Sequence, residues 1–291
     1  MKPAPFQYHR PASVREVLEL LATHGSQAKL ISGGQSLGPM MNMRLASPAH
    51  LIDINDLTEL AGIRDRGSFI EVGTLTRHCE VEKSSVLSEH CPLLPQAAAT
   101  IGHYAIRQRG SLGGSLAHAD PAAQMALVAR TLDAVVILAS LGGEREVSAA
   151  QFFEGAMTTA LRPDEMIVRV RYPKYGAGEL SAFQLFSRRH GDYALVSVAV
   201  VLGLRNGLTQ GLRIGVNGAS PVPNLLDHVA QAFEGRVPDA AWVDELSEAV
   251  GGSISPEEDG RVPAVYRQEL ARELTRQVLN RLLAERKAGV L

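Results

Sequence analysis

The chain has 291 residues, enough for two domains or for one domain in two lobes. Hydrophobic residues make up 45% and charged residues 21%, a composition that excludes a largely disordered or fibrous protein. The formal net charge is −2, and basic residues are scattered among acidic ones, which argues against nucleic acid or an anionic membrane as the main partner. Small molecules and other proteins are the partners that this charge favours.

The sequence shows neither a targeting segment nor a metal-binding motif. The N-terminal stretch MKPAPFQYHRPASVREVLELL has no export-type apolar segment, and no run of about 18 apolar residues occurs, so we expect a cytoplasmic protein without an integral membrane segment. Cys79 and Cys91 lack CxxC spacing and neighbouring ligands. We interpret them as reduced thiols and predict no bound metal in this chain.

Helix and strand patterns alternate through the first 175 residues. Apolar residues at helical spacing between Ser13, a predicted N-cap, and Gly25 indicate a helix. Apolar runs at 28–32 and 50–54 predict buried strands, which together make a small lobe of about residues 1–55. The second lobe, 56–175, contains short helices, a predicted helix from Pro121 to about Thr131, a hairpin over 134–148 and a strand at 166–172.

A proline- and glycine-rich linker at 173–179 precedes a C-terminal unit, residues 177–291. Strand-like runs at 181–188, 195–204 and 212–219 predict a three-stranded antiparallel sheet. Three helices are predicted to follow, at 223–233, 239–250 and 265–287, the last with apolar residues every four positions. The expected fold class is therefore α+β.

Two glycine-rich stretches have the same polar composition. Ser32–Ser36 contains Gly33 and Gly34, and Ser111–Ser115 contains Gly113 and Gly114. Glycine lets the backbone approach a phosphate closely, and Asp120 with Pro121 is predicted to begin a helix whose free N–H groups favour an anion. Two such stretches suggest a clamp on the pyrophosphate of a dinucleotide. Neither stretch is a Rossmann fingerprint or a P-loop.

Three segments carry a resemblance to a known family: ISGGQSLGPMMNMRLASPAHLIDIN, IRQRGSLGGSLAHADPAAQ and SRRHGDYALVSVAVVL. They resemble the FAD-binding medium subunit of molybdenum hydroxylases, the group that includes aerobic carbon monoxide dehydrogenase and xanthine dehydrogenase, and the similarity runs over essentially the whole chain. The resemblance implies a two-lobed FAD-binding domain of the vanillyl-alcohol-oxidase or p-cresol-methylhydroxylase type, followed by a smaller α+β domain. It implies no side-chain catalyst, because the flavin itself carries out the chemistry.

The resemblance also assigns FAD contacts by position. The two stretches match the pyrophosphate loops, Ile101 and Ile167 match apolar contacts to the flavin, and Tyr193 matches an aromatic beside the ring. The full set of predicted contacts is Leu30, Ile31, Ser32, Gly33, Gly34, Gln35, Ser36, Leu37, Ile101, Ser111, Leu112, Gly113, Gly114, Ser115, Asp120, Gln124, Ile167 and Tyr193. Gln124 stands where many members have an acid, and Gln184 where some have a flavin-contacting lysine, so the adenosine contact and the redox tuning are expected to differ here.

The resemblance implies partners as well: a large molybdopterin-binding subunit and a small subunit with two two-iron two-sulfur clusters, assembled as a dimer of heterotrimers. Electrons from substrate hydroxylation would pass through the clusters to FAD and then to an external acceptor. Two alternatives remain open at this point. One is a self-sufficient FAD oxidase or dehydrogenase, and the other is a nucleotide-binding module without redox turnover.

Overall fold

Three main sheets organise the chain in a computed structural model that describes residues 2–176, 178–260 and 262–287. The first sheet is parallel, in the order β1-β3-β2, and the second has the order β4-β5-β10-β6-β7. The third has the order β11-β12-β15-β16, and β8-β9 and β13-β14 form two small pairs. The strands are β1 Gln7–His9, β2 Ala28–Ile31, β3 His50–Asp53, β4 Ile63–Asp65, β5 Phe69–Gly73, β6 Val135–Ser140, β7 Gly143–Ser148, β8 Phe153–Gly155, β9 Thr158–Thr159, β10 Met166–Pro173, β11 Leu180–Phe186, β12 Val196–Leu202, β13 Leu204–Arg205, β14 Leu208–Thr209, β15 Arg213–Asn217 and β16 Asn224–Leu225.

The helices lie between and around these sheets. They are α1 Val14–His24, α2 Leu37–Asn42, α3 His78–Lys83, α4 Ser85–His90, α5 Leu93–Ala98, α6 Tyr104–Arg109, α7 Leu112–His118, α8 Gln124–Thr131, α9 Ala149–Phe152, α10 Asp227–Ala232, α11 Ala240–Gly252 and α12 Ala264–Lys287. None of the helices in the described ranges is long and apolar enough to cross a membrane. The mixed content confirms the predicted α+β class.

Apolar faces explain the order of the layers. α1 and the first sheet share a core with one face of the second sheet, formed by residues such as Val17, Ile52 and Val168. The other face of the second sheet packs against α5, α7 and α8, and this core extends to Ala199 of β12. One face of the third sheet, which includes Ala199, thus belongs to this core, and its other face packs against α10, α11 and α12. β12 is buried along its whole length because helices cover both faces of its sheet.

The local signals in the sequence were confirmed at several elements. Ser13 caps α1 through a bond that its Oγ accepts from the Glu16 N–H at 3.2 Å, and Gly25 ends the helix with φ +50°. Glu16, however, accepts the Ala12 N–H rather than that of Ser13, so a complete capping box is not formed. The hairpin over 134–148 and the strand at 166–172 are present as β6-β7 and β10.

Three predictions about the elements were wrong. The C-terminal sheet has four strands rather than three, because Asn224–Leu225 pairs with β15 as a short edge strand. For the same reason the helix predicted at 223–233 begins only at Asp227. Two residues carry no alternating pattern by which such a strand can be recognised. The predicted helix from Pro121 begins instead at Gln124, after a turn in which Asp120 Oδ1 accepts the Ala122 N–H at 2.8 Å.

An ion pair between a half-buried arginine and a buried carboxylate joins the β7 edge of the second sheet to the start of β10. Arg145 Nε and Nη2 donate to the two carboxylate oxygens of Glu165 at 2.6 and 2.7 Å, and the Arg162 N–H donates to Glu165 at 2.8 Å. The bond from Arg145 is the main reason that the pKa of Glu165 lies below its ordinary value of 4.5.

Arg145→Met is expected to lower the free energy of unfolding by about 2 kcal/mol at pH 7, because a buried carboxylate loses its charged partner. A lowered folded-state pKa gives stability that is present above pH 4.5 and is lost as the pH falls through the folded pKa of Glu165. The difference between variant and wild type should therefore shrink below pH 4.5. Urea denaturation at a series of pH values measures it, and a difference that does not change with pH contradicts this role of the pair.

Candidate functional site

The first glycine stretch leaves a run of backbone donors free. It joins the end of β2 to α2, and Gly34 has φ +68°, a left-handed conformation that favours glycine. Within the described ranges, the backbone N–H groups of residues 33–37 donate to no protein acceptor. The Gln35 side chain donates to the Gly33 carbonyl at 2.9 Å and steadies the turn. Consecutive unpaired N–H groups around a left-handed residue form a concavity suited to an anion.

The second glycine stretch is the first turn of a helix rather than a loop before one. Ser111 is the N-cap of α7 and accepts the Gly114 N–H at 3.3 Å. The N–H groups of Leu112 and Gly113 donate to the carbonyls of Thr76 and Thr74, both at 2.9 Å. The amides of Leu112 and Gly113 are therefore bonded to the segment that follows β5, whereas those of the first stretch are free.

Close backbone contact brings the two stretches together. Ser32 Oγ and Ser111 Oγ lie 2.8 Å apart across 79 positions of sequence. A Cβ at Gly33 would lie 2.2 Å from the Arg109 carbonyl oxygen, and one at Gly114 would lie 3.1 Å from Ser32 Oγ. Only glycine fits at 33, since a side chain there would push the second stretch away. The two stretches thus border one site.

Arg77 and Asn55 fasten this contact. Arg77 Nη1 donates to the Arg109 carbonyl and Nη2 donates to Asn55 Oδ1, each at 2.6 Å. Asn55 Nδ2 in turn donates to the Ser32 carbonyl at 2.9 Å. Neither residue was among the sequence-predicted site residues. Asn55 could have been found from its place, since it follows β3 as Ser32 follows β2, and neighbouring parallel strands end at the same edge of a sheet.

Gly113 packs closely against the segment that follows β5. It is buried, and a Cβ there would lie 1.7 Å from Thr74 Oγ1. Leu112 and Ile167 are also buried in the core next to α7, with exposed fractions of 0% and 4%. Gln124 is buried at the start of α8. All four residues expose little surface, and their predicted FAD contacts remain predictions.

Tyr193 brings the C-terminal part of the chain to the same site. The residue is 64% exposed, its hydroxyl lies close to the Ser36 side chain, and the Asp120 carboxylate is near enough for its charge to act on it. Partial burial and the Asp120 carboxylate raise the pKa of Tyr193, and the contact with Ser36 opposes that rise. The structure therefore brings Tyr193 close to Ser36 of the first glycine stretch. The FAD contacts predicted for Tyr193 and Asp120 remain predictions.

The remaining predicted contacts lie around this centre. Ile31 lies against Gly34, and Leu30, Leu37, Ile101 and Ser115 are half-buried. His103 contacts Gly191, where a Cβ would lie 2.6 Å from the imidazole ring, so His103 supports the segment that carries Tyr193. Burial raises the pKa of the Cys91 thiol to about 12, which disfavours the thiolate, the reactive and metal-binding form.

A mixed α+β fold, with a concavity of free amides where two distant glycine stretches meet, defines a protein that binds an anionic cofactor. Residues 4–175 match the family model described as FAD binding domain in molybdopterin dehydrogenase, and residues 181–282 match CO dehydrogenase flavoprotein C-terminal domain. The chain belongs to this family of FAD-binding medium subunits of molybdenum hydroxylases, which are oxidoreductases.

Curated relatives agree with this assignment. The chain is 44% identical to the 6-hydroxypseudooxynicotine dehydrogenase complex subunit alpha of Paenarthrobacter nicotinovorans, over 75% of this chain and 74% of that one. It is 34% identical to the carbon monoxide dehydrogenase medium chain of Hydrogenophaga pseudoflava, over 96% and 98%. It is 35% identical to the nicotine 6-hydroxylase medium subunit of P. nicotinovorans, over 96% and 98%.

Solved structures share the whole fold. Carbon monoxide dehydrogenase from H. pseudoflava superposes with a TM-score of 0.93 at 35% identity, covering 98% of this chain and 99% of that one. Quinoline 2-oxidoreductase from Pseudomonas putida 86 gives 0.92 at 33% identity, covering 97% and 98%. The resemblance inferred from the three sequence segments is thereby confirmed.

Gly33→Ala is expected to lower the FAD content of the purified chain at least tenfold, because the added methyl group meets the Arg109 carbonyl and separates the two stretches. Gly38→Ala is the matched control: it lies in the same segment, on α2, and a Cβ there meets no atom within 4 Å. The ratio of flavin to protein absorbance measures both variants. Equal flavin content in Gly33→Ala and Gly38→Ala would contradict the importance of the close approach.

Proposed function

We propose that the amides of residues 33–37, with the hydroxyls of Ser32, Ser36 and Ser111, hold the pyrophosphate of FAD. The free N–H groups carry this proposal: they lie side by side, bond no protein acceptor in the described ranges, and adjoin three hydroxyls. Charged phosphate oxygens accept such bonds strongly. The groups present therefore fit the cofactor of the family.

The flavin ring is proposed to lie near Tyr193. The exposed face of Tyr193 gives a planar ring a surface on which to stack, and the half-buried Ile101 adds apolar surface at the neighbouring second lobe. The Tyr193 hydroxyl lies close to the Ser36 side chain, which adjoins the proposed pyrophosphate site. Bound there, FAD supplies two-electron and one-electron redox chemistry, and the protein supplies binding, orientation and electrostatic tuning.

The domain organisation follows from the same proposal. We place an FAD-binding domain of the p-cresol-methylhydroxylase type at 1–175, with lobes of about 1–55 and 56–175, and a second domain at 177–291. The two sheets before residue 175 and the four-stranded sheet after it support this division. So do the separate matches at 4–175 and 181–282.

In the assembled enzyme, we propose that electrons reach this chain from a small iron–sulfur subunit, after hydroxylation of a substrate on a large molybdopterin subunit. A cytoplasmic dimer of heterotrimers is part of this proposal. Relatives of similar identity are named for different substrates, including caffeine at 33% and nicotine at 35%. Different substrates at nearly the same sequence identity are expected if another subunit selects the substrate.

Arg77→Met is expected to weaken FAD binding about tenfold or more, because the two bonds that join Arg109 to Asn55 are lost. Arg15→Met is the matched control: it removes the same charge from the exposed face of α1, where Arg15 bonds only Glu19 among the described residues. Fluorescence titration of the flavin-free chain with FAD gives both dissociation constants. If both variants bind FAD like wild type, the hydrogen bonds of Arg77 do not position the two glycine stretches.

Reduction experiments separate the subunit role from the two alternatives. The isolated chain is expected to leave its flavin oxidised with the substrate of the complex and to be reduced by dithionite. With both partners present, that substrate should bleach the flavin absorbance in stopped-flow spectra. Turnover by the isolated chain would favour a self-sufficient oxidase, and a flavin that stays oxidised in the turning-over complex would favour a binding module.

A further inference from the structure

Three of the nine histidines meet where α1 packs against the first sheet. They are His9 at the end of β1, His24 at the end of α1 and His50 at the start of β3. One ring nitrogen of each lies within 4.8 Å of those of the other two. His9 Nε2 and His50 Nδ1 are 3.0 Å apart, close to the separation of about 3.3 Å that two ligands have in a tetrahedral zinc site.

Packed elements hold these histidines in place. His24 follows Leu21 by three positions and Val17 by seven, so it lies on the face of α1 that packs onto the sheet. His50 shares the face of β3 with the buried Ile52, and Ile52 is the register partner of His9. The three imidazoles therefore converge because the core between α1 and the sheet places them there.

The site has the features of an exchangeable metal centre. We propose that His9, His24 and His50 bind one divalent late transition-metal ion of the zinc class, with water as the remaining ligand. All three rings are half-buried, so an ion can reach them from solvent. The C-terminal end of α1, which carries His24, adds a favourable partial negative charge.

Binding requires one local adjustment. The His24 and His50 rings are stacked with centroids 3.6 Å apart and 13° between their planes. Imidazole lone pairs lie in the ring plane, so one ring must turn about its Cβ–Cγ bond, a torsion with broad minima. Among the described residues, no carboxylate or carbonyl accepts a hydrogen bond from the second ring nitrogen of any of these histidines. We therefore expect moderate, reversible zinc affinity rather than a structural zinc site.

Zinc binding to the untagged full-length chain tests this proposal. The chain is loaded with FAD, treated with EDTA, dialysed and then equilibrated with zinc sulfate, and bound zinc is measured by elemental analysis. One zinc per chain is expected, with at least tenfold weaker binding in His24→Ala and in His50→Ala. His228→Ala is the control, since His228 is exposed and contacts Ser253 away from the cluster.

A second measurement separates loss of the site from loss of folding. Zinc should raise the Tm of wild type and of His228→Ala, but not of a His24→Ala variant that still retains FAD. The proposal is overturned if wild type binds no zinc, or if FAD-loaded His24→Ala and His50→Ala both bind it as wild type does. Neither result would affect the proposed FAD site, because flavin content is measured independently.

Discussion

The contact between Gly33 and the Arg109–Gly110 backbone is the constraint on which the candidate site depends. It lets two segments nearly 80 positions apart meet without side chains between them, and Ser32 and Ser111 close the contact through their hydroxyls. The contact joins the parallel first sheet to the segment between β5 and α7. Because this junction is made by backbone, a side chain added at Gly33 separates the surfaces rather than replacing one contact by another.

The two glycine stretches have different roles in the candidate site. The second is anchored, since the amides of Leu112 and Gly113 bond the segment after β5 and Leu112 is fully buried. The first keeps its amides free and contributes the left-handed turn at Gly34. An anion site needs free donors on a firm support. Here one stretch supplies the donors, and the other, fixed by Arg77, supplies the support.

The layers of the fold bring the C-terminal unit into this arrangement. α8 lies so close to β15 that a Cβ at Gly215 would come within 2.2 Å of Thr131 Oγ1. The third sheet is thereby fixed against the helices of the second lobe, and Tyr193, in the segment between β11 and β12, reaches Ser36. A residue from the C-terminal unit thus lies at the candidate site because two sheets share one helical layer.

The sequence by itself determined α1 with its cap, the hairpin of β6 and β7, the strands that end at Ile31 and Asp53, the glycine stretches and the family. These features are local or depend on short segments of characteristic composition, so they can be read without knowing which segments meet. The start of α8 at Gln124 rather than Pro121 and the short strand β16 could not be read in this way, since competing turn bonds and one pairing partner set them.

Only the tertiary structure decided which amides remain free, that Arg77 and Asn55 join the two stretches, and that Gly113 packs against Thr74. It alone also assembled His9, His24 and His50 into one cluster. Each of these results depends on segments that are distant in sequence, and the pairing of strands and the packing of helices bring them together. The local pattern of a residue determines the element it belongs to, whereas its chemical role is set by the partner that the fold places beside it.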